Sequence, residues 1–266
     1  MDALLDGSYA DLALSCLVLV VFAFVAWRLE TVTAPGAVVM TGMGVVILYV
    51  GGWHWLLPIV AFFGTSVGLS RIRFGDAEPH GPRDAWQVLA NGGVATVGVL
   101  LAVMNLPEWR LVDSLAFYAG AIAAATADTW ATEIGIRFGG PPRDVINGNS
   151  LRKGESGGIT GLGTLAAALG AMMIGLIAVT IPPDQPEDWV ALGHVTLAGW
   201  LGAMLDSFLG SALQRHYRCR ICGAETESPE HCDTATAPRR GFLSNNQVNW
   251  ACTAFGAFAA WAFVRW

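Results

Sequence analysis

Charge is the scarcest thing in this sequence. Only 14% of its 266 residues are Asp, Glu, Lys or Arg, against about 25% in soluble globular domains. With 54% hydrophobic residues, eleven Trp and thirty-two Gly, the composition excludes an ordinary soluble enzyme and points to a polytopic helical membrane protein. No basic n-region precedes the first apolar run, which follows Asp2, Asp6 and Asp11 instead, so a cleavable signal is not expected. No polar linker divides the chain, and a single integral membrane domain over residues 1–266 is expected. The G-x-x-x-x-G-K-[ST] order is absent, which removes a Walker-type nucleotide site. No internal repeat is evident either, although transporters built from two halves usually show one. A net charge of −6 offers no basic field for nucleic acid. Cysteines are few: Cys16 and Cys252 sit in apolar runs and read as buried packing residues, while the other three share one polar loop.

What is present is apolar and segmented. Eight runs stand out: Ala10–Trp27, Pro35–Val50, Trp53–Ser70, Ala85–Met104, Ser114–Ile136, Gly158–Ile181, Trp189–Leu213 and Val248–Val264. Most approach the length of about 20 residues that spans a bilayer. Gly51-Gly52 alone separates the second from the third, which predicts a tight helical hairpin. The fold class is therefore all-α, a bundle of about eight transmembrane helices.

Orientation follows from the basic residues. With the N-terminus outside, Arg28, Arg71, Arg73, Arg83, Arg137, Arg143, Arg152, Lys153, Arg215, Arg218, Arg220, Arg239 and Arg240 all become cytoplasmic. Only Arg110 and Arg265 fall outside. The outer loops are short and acidic (Glu108, Asp113, Asp184, Glu187, Asp188) and read as plain connectors. Residues 1–84 hold three N-terminal helices, and residues 85–266 form the expected catalytic core with cytoplasmic loops 137–157 and 214–246.

Polar residues inside the apolar runs are the functional signal, because such groups are expensive in hydrocarbon and usually face a cavity. The stretch A-A-A-T-A-D-T-W-A-T-E-I-G, Ala123–Gly135, puts Asp128, Thr129, Thr132 and Glu133 just before Arg137. Asn91, Asp128 and Asp206 each lie eight or nine residues from a basic helix end, roughly 12–14 Å deep on three different helices. A shared site at that depth is expected. Gln87 lies one turn from Asn91, Ser207, Ser211 and Gln214 form a stripe beside Asp206, and Asn245, Asn246 and Asn249 open the last helix. Asn245 reads equally well as an N-cap. Asp128 and Glu133 are about 140° apart on an ideal helix, so they converge only on a wide cavity or across a break near Ala131–Thr132.

The loop between the fifth and sixth runs carries Arg143, Arg152 and Lys153, followed by Gly154, Ser156, Gly157 and Gly158 at a helix start. Glycines expose backbone N–H groups to an anion, and the basic side chains supply charge-assisted hydrogen bonds to phosphate oxygens. Gly161, Gly163 and Gly170 read instead as close-packing residues. Acids at one depth beneath such a loop suit magnesium and polyphosphate, since Mg²⁺ takes one or two carboxylates and keeps phosphate oxygens and waters. Farther on, Cys219 and Cys222 have the C-x-x-C spacing of a zinc knuckle, with His231 and Cys232 as further ligands of a structural Zn²⁺. The adjacency of His231 and Cys232 demands a contorted backbone, so a redox-labile pair and unligated thiols stand beside zinc.

The stretches A-D-T-W-A-T-E-I-G, G-E-S-G-G-I-T, D-S-F-L-G-S-A-L-Q and N-N-Q-V-N, together with Q-V-L-A-N-G-G at Gln87–Gly93, resemble the motifs of one membrane family. It is the family of the chloroplast phytyl-phosphate kinase and transmembrane protein 19, distantly similar to the CTP-dependent dolichol and phytol kinases. The resemblance runs from Gln87 to Asn249. It implies transfer of a phosphoryl group from a nucleoside triphosphate, CTP by analogy, to a phytyl- or geranylgeranyl-type monophosphate at the cytoplasmic membrane face. The expected catalytic and magnesium-binding acids are Asp128, Glu133 and Asp206. The expected nucleotide- and phosphate-binding set is Asn91, Thr129, Arg143, Lys153, Gly154, Ser156, Gly157, Gly158, Gln214, Asn246 and Asn249. Membrane lipids are the surroundings, and the oligomeric state is left open. Two other readings compete: a transporter or lipid scramblase using the same acids as ion sites, and a non-catalytic membrane scaffold.

Overall fold

The computed structural model describes residues 9–72, 81–104, 106–181, 189–223, 225–226 and 229–266. Asp2, Asp6, Arg73 and the acids Asp184, Glu187 and Asp188 lie outside the described residues. Eight helices carry the apolar runs: α1 (Tyr9–Arg28), α2 (Ala34–Gly51), α3 (Trp53–Arg71), α4 (Ala85–Leu101), α5 (Leu111–Phe138), α6 (Gly161–Ala178), α7 (Trp189–Leu213) and α8 (Asn245–Arg265). Gly52 joins α2 to α3 at φ 74°, a left-handed conformation that glycine adopts without strain. Among the described residues, four stretches, Ala34–Gly51, Trp53–Arg71, Gly161–Ala178 and Val190–Leu213, are long and apolar enough to cross a membrane.

The centre of the bundle is α5, which packs against α3, α4, α6, α7 and α8. From Ala116 to Ala127 every residue is buried, so this helix is enclosed on all sides rather than presenting one stripe. Alanine and glycine make that enclosure possible, because association inside a membrane depends on close backbone approach. A Cβ added at Gly199 or Gly202 of α7 would sit only 2.6 Å from Ala123 Cβ or 2.7 Å from Ala124 Cβ of α5. Large apolar side chains meanwhile face outward, among them Leu17, Phe24, Val38, Leu165 and Phe258. Exposed apolar surface on that scale suits lipid rather than water.

At the start of α5, Asp113 is fully buried and is not part of a plain connector. Its oxygens accept hydrogen bonds from the Arg110 backbone N–H (2.7 Å) and side chain, and from Arg265 Nε and Nη2 (3.0 Å each). The two arginines that break the charge asymmetry are thus both tied to one acid, which staples α5 to the end of α8.

The loops at the opposite end are more ordered than an all-α expectation allows. Strand β1 (Arg143–Asp144) pairs antiparallel with β2 (Gly158–Ile159) and closes the base of the glycine-rich loop. After α7, β3 (His216–Arg218) is flanked by β4 (Glu225–Thr226) and β7 (Ala237–Arg240) in an antiparallel sheet, and β5 (Glu230–His231) forms a hairpin with β6 (Thr234–Ala235). The apolar-run criterion has no sensitivity to strands of two to four residues.

Candidate functional site

Where α5, α7 and the start of α8 meet the glycine-rich loop, a cavity of about 830 Å³ opens. Its walls are polar for local reasons. α5 runs unbroken through Ala131–Thr132, yet Asp128, Thr129, Thr132 and Glu133 all line the space. Cavity width, rather than a helix break, brings Asp128 and Glu133 to one site.

Asp128 and Asp206 meet across the α5–α7 interface, their carboxyl groups within hydrogen-bonding contact. Two carboxyls this close share a proton or a cation between them. Asn249 of α8 completes the group. With its nitrogen turned toward α7, it donates to Asp206 Oδ2 and to the Asn245 carbonyl, each at 3.3 Å. Turned over, it reaches Asn91 Oδ1 of α4 at 3.4 Å, but its oxygen then faces only acceptors. The first orientation satisfies the surroundings better.

Glu133 is differently placed. It is buried and forms an ion pair with Arg137 one turn on, and Arg137 is held in turn by the carbonyls of Ile72 (2.8 Å) and Ser70 (3.2 Å). Its charge also offsets part of the burial effect that pulls the nearby Arg83 guanidinium below its usual range. This acid organises the cavity wall, and its arginine partner competes with any metal.

The opposite wall is the loop from Pro142 to Thr160. Lys153, the single lysine of the chain, is exposed at the mouth, and Gly154, Ser156, Gly157 and Gly158 follow along the lining. Gly157, at φ 83°, lies so close to α7 that an added Cβ would meet Ser211 N at 2.7 Å. Asp144 anchors the loop. Its Oδ1 accepts from the N–H groups of Ile146 (2.8 Å) and Asn147 (3.1 Å), and its Oδ2 from Ser211 Oγ (2.7 Å). Burial raises the Asp144 pKa, but these bonds and the Arg240 charge outweigh it and hold the carboxyl below its usual range. Thr160 caps α6 by accepting from Gly163 N at 3.0 Å, and both residues reach the cavity.

Of the sequence-predicted residues, Asp128, Thr129, Glu133, Lys153, Gly154, Ser156, Gly157, Gly158, Asp206 and Asn249 line this cavity. Arg143, Gln214 and Asn246 do not. Arg143 is exposed on β1 and donates to the Gly148 carbonyl at 3.2 Å; Gln214 is buried beneath the rim, its Nε2 3.5 Å from Asn245 Oδ1. Asn91 lines a narrow apolar slot of about 70 Å³ between α1, α2, α3 and α4 instead. Gln87 reaches the cavity but is committed to the capping box of α4, accepting from Asp84 N at 3.0 Å. The N-cap of α8 is Ser244, not Asn245, which leaves Asn245 on the lining. Gly163 and Gly170 are packing residues, against Ala131 O and the Trp130 ring; Gly161 has open space around it.

Arg71, Arg83, Thr160 and Thr164 also line the cavity and escaped the sequence reading. Arg83 carried a signal, standing directly before the Asp84 cap of a helix that begins at the site. Its backbone is pinned to the α1–α2 turn, with Thr33 N–H donating to its carbonyl at 2.9 Å and its own N–H donating to Thr31 O at 3.0 Å.

Cys219, Cys222, His231 and Cys232 come together beyond the rim, their ligand atoms all within 4.8 Å of one another. The Cys219 thiol is lowered to about 6, chiefly by the backbone N–H of Cys222, while Cys232 is pushed up to about 11, chiefly by its contact with Cys222.

Comparison with known proteins places the chain in a wider set. The family described as integral membrane protein DUF92 matches residues 17–257. Uncharacterized membrane protein MJ0933 of Methanocaldococcus jannaschii is 31% identical over 208 residues, covering 77% of this chain and 84% of its own length. Protein PGR of Arabidopsis thaliana is 30% identical over 212 residues, covering 70% and 72%. Uncharacterized membrane protein sll0875 of Synechocystis is 24% identical over 190 residues, covering 66% and 69%. No solved structure matches the chain.

Proposed function

The chain belongs to the DUF92 family of integral membrane proteins, and from that premise we propose that it is a prenyl-phosphate kinase. The reaction transfers the terminal phosphoryl group of a nucleoside triphosphate, CTP by the resemblance above, to a phytyl- or geranylgeranyl-type monophosphate. An oxygen of the acceptor phosphate attacks the γ-phosphorus, the bond to the β-phosphate oxygen breaks, and the nucleoside diphosphate leaves. The observation that carries this reading is the meeting of Asp128 and Asp206 inside a cavity whose rim bears Lys153 and the Gly154–Gly158 backbone.

Two carboxylates on adjacent helices fit a magnesium ion that keeps room for phosphate oxygens. Asp128 and Asp206 would hold it, and when bound it neutralises developing phosphate charge. Lys153 steers and pairs the incoming phosphates, and backbone N–H groups of Ser156 to Gly158 orient them. A phosphate acceptor is already anionic, so no general base is required. That removes any need for Glu133, which Arg137 already holds.

Arg83 borders both the polar cavity and the apolar slot lined by Leu19, Phe22, Leu56 and Phe62. That arrangement suits a substrate with a phosphate at one end and a hydrocarbon whose first carbons enter the slot, about 70 Å³ in volume, while the remainder lies in lipid. All eight helices are taken as spans, with the N-terminus outside and the cavity cytoplasmic. The pairing of Arg110 and Arg265 with Asp113 supports this, because it accounts for the two exceptions to the charge bias.

The test is direct. Purified protein with labelled CTP, Mg²⁺ and geranylgeranyl or phytyl phosphate should yield the labelled diphosphate. Absence of turnover with every nucleotide and prenyl phosphate overturns the proposal, and ion flux in proteoliposomes without product favours the transporter reading.

A further inference from the structure

The geometry points to a structural zinc site formed by Cys219, Cys222, His231 and Cys232. It is independent of the kinase reading. Around a zinc with Zn–S bonds of about 2.3 Å and a Zn–N bond near 2.0–2.1 Å, tetrahedral ligands stand about 3.8 Å apart for S–S and about 3.5 Å for S–N. Here Cys222 Sγ and Cys232 Sγ are 3.8 Å apart, and His231 Nδ1 lies 3.5 Å from Cys222 Sγ and 3.2 Å from Cys232 Sγ. A disulfide would bring two sulfurs to about 2.05 Å, and all these cysteines are free.

The backbone explains how neighbouring residues can serve one ion. His231 pairs with Thr234 across the β5–β6 hairpin, so Cys232 and Asp233 are its two-residue turn. Both have positive φ, 53° and 56°, the pattern of a type I′ turn that ordinarily selects Asn-Gly. Aspartate tolerates the left-handed region, but cysteine seldom adopts it, and a ligand role gives Cys232 a reason to do so. The turn swings the Cys232 sulfur back beside the His231 ring. On the other side, Gly223 N–H closes on the Cys219 carbonyl at 3.1 Å with φ 71°, and the N–H groups of Ile221 and Cys222 address the Cys219 sulfur. Two tight turns therefore face each other with two ligands apiece.

Four protein ligands leave no open position, so the site is structural and not catalytic. Its need is plain. The segment from β3 to β7 is too small for a hydrophobic core of its own, and segments of that size are usually held by a metal or a disulfide. The ion would lock the β3–β4 turn to the β5–β6 turn. The lock extends to the cavity rim, because Arg240 at the end of β7 stands 3.4 Å from His216 Nε2 and 3.9 Å from Glu155 Oε1, and Glu155 lines the cavity.

Full-length protein purified without added metal and without a polyhistidine tag should contain about one zinc per chain by elemental analysis. C219S/C222S should lose it, while C16A keeps it. Should the double variant fail to fold, wild-type protein stripped with a chelator and refilled with Co²⁺ should show the intense visible and near-ultraviolet bands of a tetrahedral thiolate site. Metal-free wild-type protein without cobalt–thiolate bands overturns the proposal, and so does stoichiometric iron.

Discussion

Asp113 and Asp128 stand on the same helix, about four turns apart, and they are built to opposite ends. Asp113 is surrounded by cations: Arg110 from its own turn and Arg265 from α8 occupy both of its oxygens. Asp128 meets another acid, Asp206, at the wall of a large cavity. An acid saturated by arginines has finished its task as a fastener. An acid facing an acid needs a proton or a cation from elsewhere, which is the condition for a binding site. Glu133, tied to Arg137, belongs with Asp113 in this respect although it borders the cavity.

The sharpest way to break this comparison is to neutralise each acid in turn. D128N or D206N should lower phosphoryl transfer by two or more orders of magnitude with little change in thermal midpoint in detergent. Near-wild-type turnover in both would remove the paired acids from the chemistry.

D113A should do the reverse. It leaves two arginines without their shared partner and should cost roughly 2–3 kcal/mol, less than a fully buried pair because Arg110 is more than half exposed. Thermal unfolding would register the loss, while kcat per folded molecule stays close to wild type. A catalytic defect at unchanged stability would contradict the division of roles.

A smaller effect is expected at the rim. K153A should raise the apparent KM for a phosphorylated substrate about tenfold, the loss of one charge-assisted contact, with kcat little changed. A change in stability alone would make the loop merely structural.

The smallest test concerns Asp144, a fastener in the functional loop. Its folded pKa lies below the ordinary value, so its contribution is present above about pH 4 and is lost as pH falls through the folded value. D144N should cost about 1 kcal/mol at neutral pH, and the difference from wild type should shrink in acid. A gap that persists unchanged below that range would assign the effect to packing rather than to charge.

The helices were legible because their cause is local. Apolar runs such as Trp53–Ser70 and Trp189–Leu213 nearly coincide with α3 and α7, and the one cap expected, Asn245, lies one residue from the true cap Ser244. The site was legible in part. Depth grouped Asn91, Asp128 and Asp206; the two acids meet while Asn91 lines a separate slot, because residues at one height meet only where their helix faces turn toward each other. Depth could not say that Glu133 was already taken by Arg137, nor that Arg143 would spend itself on the Gly148 carbonyl. Those outcomes depend on side-chain partners one turn or one hairpin away, and several partners compete for each charge.

By itself the sequence determined the membrane class, the helix order, the close packing at Gly163 and Gly170 and the polar residues that could not face lipid. All of these follow from composition and periodicity, which act over one helix at a time. Only the tertiary structure decided which acids are fastened and which face each other, and that Arg83 joins a polar cavity to an apolar slot. It also decided that His231 and Cys232, awkward neighbours on a linear chain, turn their ligand atoms toward one point. The Asp128–Asp206 and Asp113–Arg265 contacts join segments distant in sequence, and the Cys232 turn is left-handed. Glu133–Arg137 is a pair one turn apart that only packing selects over other partners.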